Sequence, residues 1–176
     1  LLTIFIKQAM VLKVINNNSY RILESSEVMG NLNKKLASQD LSGFKFVTCC
    51  YCILNIRTLE LKFARAGHPY PILMRKYEEP RQLEVRGALL GIFENTEFPQ
   101  KTVQLEKGDK VLIYSDGAET LVGNIGDDSK FIFTPEMQSI KDQPIQSIID
   151  LFTDFAKEQK QNTTELDDVT ALGLSV

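Results

Sequence analysis

The chain has 176 residues, a formal net charge of −3 and a pI near 5.3. A chain of this length fits one domain with a sizeable core, so we predict a single domain over residues 1–176. The acidic balance offers no electrostatic basis for nucleic-acid binding. No apolar run reaches the ~18 residues that a membrane span needs, so we expect no direct membrane contact.

The first part of the chain has the pattern of two helices. Apolar residues on nearly all sides of residues 1–15 are typical of a buried helix. Ser25 or Ser26 can cap a second helix. Its apolar residues recur at spacings of three and four, at Met29, Leu32 and Leu36.

The period then changes to that of strands. Residues 46–56 are almost continuously apolar, which predicts a strand covered on both faces. Apolar residues alternate with polar ones from Leu59 to Phe63, which is typical of a half-exposed strand. Residues 55–59 are predicted to form the hairpin turn between them, and residues 71–74 a short third strand.

Three cysteines lie in the first of these strands, at Cys49, Cys50 and Cys52. Neighbouring residues of a strand point to opposite faces, so only Cys50 and Cys52 share one. No nearby His or Cys completes a set of metal ligands, and buried thiols in a central strand are the favoured interpretation. An odd number of cysteines favours a reducing compartment, and we predict a cytoplasmic protein.

The second part of the chain continues the mixture of strands and helices. A solvated loop is predicted over residues 75–81, a turn at 107–109 and a strand at 111–114. A long amphipathic helix is predicted after Pro144, a loose polar segment over 157–164 and a last strand over 169–176. Consecutive strands flanked by helices indicate an α+β fold with antiparallel sheets.

Carboxylates lie at the ends of two of these strands. Asp116 follows the strand that ends near Tyr114, and Asp167 and Asp168 precede the last strand. Carboxylates brought together from distant positions repel one another unless a cation binds. Their oxygens suit a hard divalent cation.

Other interpretations of the polar residues stay open. Asp116-Gly117 alone is more often a turn than a metal site. Asp127 and Asp128 fit a solvated loop better than a peripheral metal site. His68, the one histidine, cannot build a Ser-His-Asp or multi-histidine site, and a structural role is favoured over proton transfer. Surface positions are likewise favoured over phosphate binding for two arginines, Arg65 and Arg75.

An ordered set of short motifs resembles bacterial protein phosphatase 2C-like domains of the stage II sporulation protein E type. The motifs are Phe46-Val47-Thr48, Ala66-Gly67-His68-Pro69, Leu89-Leu90-Gly91, Leu105-Glu106-Lys107-Gly108-Asp109, Tyr114-Ser115-Asp116-Gly117 and Asp167-Asp168-Val169-Thr170. The resemblance implies an α-β-β-α sandwich of antiparallel sheets flanked by helices. It also implies removal of phosphate from serine or threonine of proteins with Mn²⁺ or Mg²⁺, two ions per complete site.

The resemblance implies functional roles for four residues. Asp116 and Asp167 match metal ligands, while Asp168 and Gly117 match positions that support them. It further implies a phosphorylated protein substrate, an antagonist of an anti-sigma factor in a stress-response pathway, and a sensor or dimerisation segment upstream.

Two earlier metal-site segments of the family have no counterpart here: an Asp in a Gly-Asp stretch and an Asp-x-x-Gly-His-Gly segment. We therefore expect a truncated domain that lacks the first strands, binds metal weakly or singly, is poorly active and exposes an unpaired sheet edge. The alternative is a catalytically inactive, phosphatase-like interaction module in a partner-switching pathway. A third hypothesis is a metal-dependent hydrolase of small phosphoesters.

Overall fold

A computed structural model describes residues 2–16, 19–38, 46–162 and 167–176. In chain order the elements are α1 (Leu2–Ala9), β1 (Lys13–Asn16), β2 (Ser19–Ile22), α2 (Ser25–Ala37), β3 (Cys49–Asn55), β4 (Glu60–Ala66), β5 (Ile72–Met74), β6 (Arg81–Gln82), β7 (Gln100–Gln104), β8 (Lys110–Tyr114), a 3₁₀ turn (Asp116–Ala118), α3 (Glu119–Val122), β9 (Gly123–Ile125), β10 (Phe131–Phe133), α4 (Pro135–Ile140), α5 (Ile145–Asn162) and β11 (Ala171–Ser175). They form two compact units, residues 1–68 with 85–104 and residues 69–84 with 105–176. The single domain over residues 1–176 stays a prediction.

The first unit holds a three-stranded antiparallel sheet in the order β3-β4-β7. Helix α2 packs on this sheet because its apolar face meets the small residues of β4. The core formed there contains Ala9, Met29, Leu32, Leu36, Ala64, Ala66, Leu90 and Phe98. The three apolar positions predicted for the second helix are therefore confirmed as buried.

The predicted helix over residues 1–15 is wrong in its second half. Helix α1 ends at Ala9, and β1 pairs with β2 as an antiparallel hairpin. β-branched residues such as Val14 and Ile15 favour a strand. The hairpin is exposed, with 67% of Ile15 accessible to solvent, so this apolar segment is also not buried as predicted.

Glu24, rather than Ser25 or Ser26, is the N-cap of α2. Its side chain and that of Glu27 each accept from the other's backbone N–H, which is a capping box. Ser25 is instead buried, and its hydroxyl donates to the carbonyl of Lys62 at 3.2 Å.

The burial of the two long strands differs from the prediction. β3 has one strand partner among the described residues, β4, and its residues are half-buried rather than covered on both faces. β4 is the central strand instead. It buries Leu61 and Phe63 on one face and Ala64 and Ala66 on the other, because α2 covers the second face. The turn between them is confirmed, with Leu59 N–H donating to the carbonyl of Asn55 at 2.7 Å.

The second unit is built on a sheet in the order β11-β8-β5-β6, with every pair antiparallel. Helix α5 packs on β11 so closely that a Cβ on Gly173 would lie 2.5 Å from Ile145. The core of this unit contains Ile72, Met74, Leu112, Tyr114, Ala118, Leu121, Val122, Met137, Ile148 and Phe152.

Two predicted loops of this unit contain regular structure. Helix α5 continues to Asn162, so the polar segment predicted to be loose over residues 157–164 is largely helical, and its last two residues, 163 and 164, lie outside the described residues. Residues 123–133 form the hairpin β9–β10, with Asp127 and Asp128 exposed in its turn. These segments contain many polar residues, which suggested loops. A surface helix needs apolar residues on only one face, so a largely polar segment can still be helical.

Candidate metal centre

The candidate carboxylates lie where β8 ends and β11 begins. These strands are antiparallel neighbours, with Tyr114 opposite Ala171. The residue after β8 therefore meets the residues before β11, and Ser115 N–H donates to the carbonyl of Thr170 at 2.9 Å. The pairing brings Asp116 and Asp167, 51 positions apart in the sequence, to one end of the sheet.

The Ser115 side chain ties the two segments together. Its hydroxyl donates to the backbone carbonyl of Asp168 at 2.7 Å and accepts from the N–H of Thr170 at 2.8 Å. No role for this residue was predicted from the sequence. No local signal in the sequence predicts these bonds, because they reach a segment 53 positions further along the chain.

Gly117 allows the two segments to approach each other. It lies in the 3₁₀ turn with Asp116, and a Cβ at this position would stand 2.9 Å from the carbonyl oxygens of both Asp167 and Asp168. Any other residue would push these segments apart. Gly117 therefore packs directly against the backbone of Asp167 and Asp168, and its support of a metal ligand stays a prediction.

The side chains of Asp116, Asp167 and Asp168 are all exposed. One oxygen of Asp116 accepts from the N–H of Gly117 at 3.1 Å. Burial raises the pKa of Tyr114, the last residue of β8, above its ordinary value.

Solvent-facing carboxylates on a rigid backbone are the donor set that Mg²⁺ and Mn²⁺ prefer, so the residues fit such an ion. Within the described ranges, no three His, Cys, Asp or Glu side chains converge as a ready ligand cluster.

The other candidate residues lie in structural contacts. Arg65 donates to the backbone carbonyls of Val85 and His68, and so holds the Gly67-His68 turn. Arg75 forms an ion pair with the buried carboxylate of Asp109 at 2.9 Å. Asp128 forms an ion pair with Lys130 at 3.0 Å in the β9–β10 turn. Arg65 and Arg75 are half-buried in these contacts rather than at the predicted surface positions, whereas Asp128 lies in an exposed turn as favoured.

The sequence profile of the Stage II sporulation protein E (SpoIIE) family matches residues 8–176. The chain belongs to the SpoIIE family. This family comprises PP2C-like serine phosphatases, so the resemblance found in the motifs is confirmed.

Three similar proteins illustrate the relationship. Phosphoserine phosphatase RsbU of Bacillus subtilis is 29% identical over 119 residues, or 67% of this chain and 34% of RsbU. The structure of the RsbU and RsbW domains of a Mycobacterium tuberculosis protein matches with 26% identity and a TM-score of 0.61, over 86% of this chain and 41% of that one. The manganese-presoaked phosphatase domain of SpoIIE from Bacillus subtilis matches with 14% identity and a TM-score of 0.60, over 99% of this chain and 72% of that one.

These matches confirm the predicted fold class, a mixture of helices and antiparallel sheets of the PP2C type. The chain spans about a third of the length of RsbU. Among helices of the described residues, none combines the length and apolar character required to cross a membrane.

Proposed function

We propose that the SpoIIE-family chain carries part of the metal centre of a phosphoprotein phosphatase that hydrolyses phosphoserine or phosphothreonine, with Asp116 and Asp167 as ligands of Mn²⁺ or Mg²⁺. The observation that supports it is the junction of β8 and β11, where Ser115 and Gly117 hold the two carboxylate-bearing segments together. A site of this kind needs its ligands on a rigid backbone and open to solvent.

Each residue has a defined part in this proposal. The carboxylates of Asp116 and Asp167 bind the cations and leave positions open for water and a phosphoryl group. Asp168, held through its carbonyl by Ser115, keeps this segment in position beside Gly117. Divalent cations held by these residues would supply an activated water and offset the charge of the phosphoryl oxygens.

The proposed substrate is a phosphorylated regulatory protein, an antagonist of an anti-sigma factor. The similarity to RsbU, a phosphoserine phosphatase, supports the substrate class. The occurrence of RsbU and RsbW domains together in one solved protein supports a partner-switching context. The presoaking of a SpoIIE phosphatase domain with manganese supports the metal. A cytoplasmic location and an upstream sensor or dimerisation segment belong to the same proposal.

The test is manganese-dependent phosphate release from a phosphoserine protein, with this chain and with a version extended upstream of Leu1. We expect Asp116→Asn to lower the rate by at least about 100-fold, beyond the ~10–100-fold typical of residues that only orient a ligand. Asp127→Asn makes the same chemical change in an exposed turn and should leave the rate unchanged.

Two outcomes would redirect the proposal. If no version releases phosphate although circular dichroism shows that each is folded, the phosphatase proposal is contradicted and the phosphatase-like interaction module is favoured. Equal activity on a sugar phosphate and on a phosphopeptide would favour the hydrolase of small phosphoesters.

A further inference from the structure

Strand β3 brings two thiols together on one face. The sulfurs of Cys50 and Cys52 lie 3.8 Å apart, and both residues are partly exposed to solvent. Cys49 points to the opposite face, where it packs against the core beneath α2. The pairing of Cys50 and Cys52 that strand periodicity predicted is therefore realised in the structure.

Strand geometry disfavours a disulfide between these residues. Two residues along an extended strand separate the Cα atoms by roughly 6.6–6.8 Å, the outer limit for a disulfide. The sulfurs would also have to move from 3.8 Å to about 2.05 Å. β4 holds the backbone of β3 in register at both positions, with Arg65 opposite Cys50 and Phe63 opposite Cys52.

The same spacing suits a cation held between the sulfurs. An ion bound about 2.3 Å from each sulfur, the usual zinc–thiolate distance, would subtend an angle of about 111° across a 3.8 Å gap. That angle is close to tetrahedral, so the thiolates can bind without moving the strand.

The surroundings of Cys50 and Cys52 have opposing effects on the ionisation of the two thiols. The hydrogen bond with Cys52, followed by burial, raises the pKa of Cys50, whereas the positive charge of Arg65 opposes this rise. The same hydrogen bond lowers the pKa of Cys52, so the pair favours one thiolate over two thiols. A soft cation would then compete with the second proton.

We propose that Cys50 and Cys52 form a bidentate thiolate site for a thiophilic divalent cation of the zinc class. Binding forms two metal–sulfur bonds and releases two thiol protons to solvent. Water or a small thiol fills the other two tetrahedral positions. Ligand softness separates this site from the carboxylates of Asp116 and Asp167, which prefer hard cations. The proposal does not depend on phosphatase activity.

The experiment is a titration of this chain with Cd²⁺ in the presence of excess Mg²⁺, followed by the ultraviolet thiolate-to-cadmium charge-transfer absorbance. We expect the band to saturate at one equivalent and to be displaced by Zn²⁺. Cys50→Ser and Cys52→Ser should each weaken apparent Cd²⁺ affinity by at least about 100-fold, because the second thiolate acts at high effective concentration.

Two matched variants separate this site from cation binding elsewhere on the chain. Cys49→Ser removes a thiol of the same strand from the other face, and Asp116→Asn removes a carboxylate. Both should keep the full band and the affinity. Absence of the band in the folded chain, its survival in the Cys50/Cys52 double variant, or equal loss in Cys49→Ser would overturn the proposal.

Discussion

Ser115 shows how one hydroxyl can position a pair of distant carboxylates. It bonds to the backbone on both sides of Val169, through the carbonyl of Asp168 and the N–H of Thr170. Neither bond involves a proposed ligand side chain. The residue therefore acts through the position of the segment that carries Asp167.

We predict that Ser115→Ala weakens Mn²⁺ binding by about 10–100-fold, the loss typical of a residue that orients a metal ligand. The loss should appear in calorimetric titration with Mn²⁺, while the circular dichroism spectrum stays unchanged. Ser175→Ala, at the far end of β11, is the control and should bind Mn²⁺ normally. Normal binding by Ser115→Ala would show that the strand pairing alone positions the site.

A buried ion pair joins the start of β8 to the residue after β5. Asp109 is 2% exposed and accepts from Arg75 at 2.9 Å and from the N–H of Glu106 at 2.9 Å. The carboxylate raises the pKa of Arg75, mainly through their hydrogen bond. Removing Asp109 leaves the poorly solvated Arg75 with only its weaker ion pair to the exposed Glu106, at 3.4 Å.

Asp109→Asn should therefore lower the free energy of unfolding by about 3 kcal/mol. Urea denaturation followed by circular dichroism measures the change. Asp127→Asn, the same replacement in the exposed β9–β10 turn, should change it by less than about 0.5 kcal/mol. Similar effects for both variants would contradict the importance of the buried pair.

At the scale of elements, Glu27 connects β2 to the start of α2. Its carboxylate accepts from Arg21 at 2.6 and 2.9 Å and from the N–H of Glu24 at 2.9 Å. The hydrogen bond from Arg21, followed by that from the Glu24 backbone, lowers the pKa of Glu27 from 4.5 to about 2. The charged form of Glu27 is therefore favoured in the folded chain.

This shift predicts how the stability depends on pH. A lowered folded-state pKa adds stability that is fully present above the unfolded pKa of 4.5 and is lost as pH falls through about 2. Urea midpoints of the chain and of Glu27→Gln should thus differ at pH 6 and converge towards pH 2. Glu158→Gln, exposed on α5, should follow the parent chain at both pH values. A gap that stays constant with pH would contradict the prediction.

In the N-terminal segment, the pattern of apolar residues does not predict where the helix ends. Apolar residues on all sides of residues 1–15 predict a helix by period, yet the segment divides into α1 and β1. The pattern of apolar residues does not show which backbone groups will pair. Here β1 pairs with β2, and this pairing uses backbone hydrogen bonds that a longer helix would need. The turn at residues 55–59 and helix α2 were predictable because their signals are local.

At the scale of the whole molecule, each unit has its own buried core. Leu32 is fully buried in the first and Phe152 is 2% exposed in the second, where its ring lies 6.3 Å from that of Tyr114. If the chain is one cooperative domain, as its length predicts, both cores should report the same unfolding transition.

We predict that Leu32→Ala and Phe152→Ala each destabilise this shared transition, by about 2–5 and 3–5 kcal/mol respectively. Differential scanning calorimetry should show one peak that moves to lower temperature in both variants. Exposed Leu172→Ala, on β11, is the control and should shift it far less. Two peaks, each sensitive to only one variant, would contradict a single domain.

The family, the α+β class and the identity of the candidate carboxylates can be predicted from the sequence, because they follow from short motifs and local periodicity. The tertiary structure decided which segments meet. It placed Ser115 and Gly117 against the backbone of Asp167 and Asp168, paired Arg75 with Asp109, and gave β3 a single strand partner among the described residues. The side-chain contacts of Arg75 and Ser115 join residues 34 and 53 positions apart. Local patterns do not encode them, because they depend on which faces the packed elements bury together.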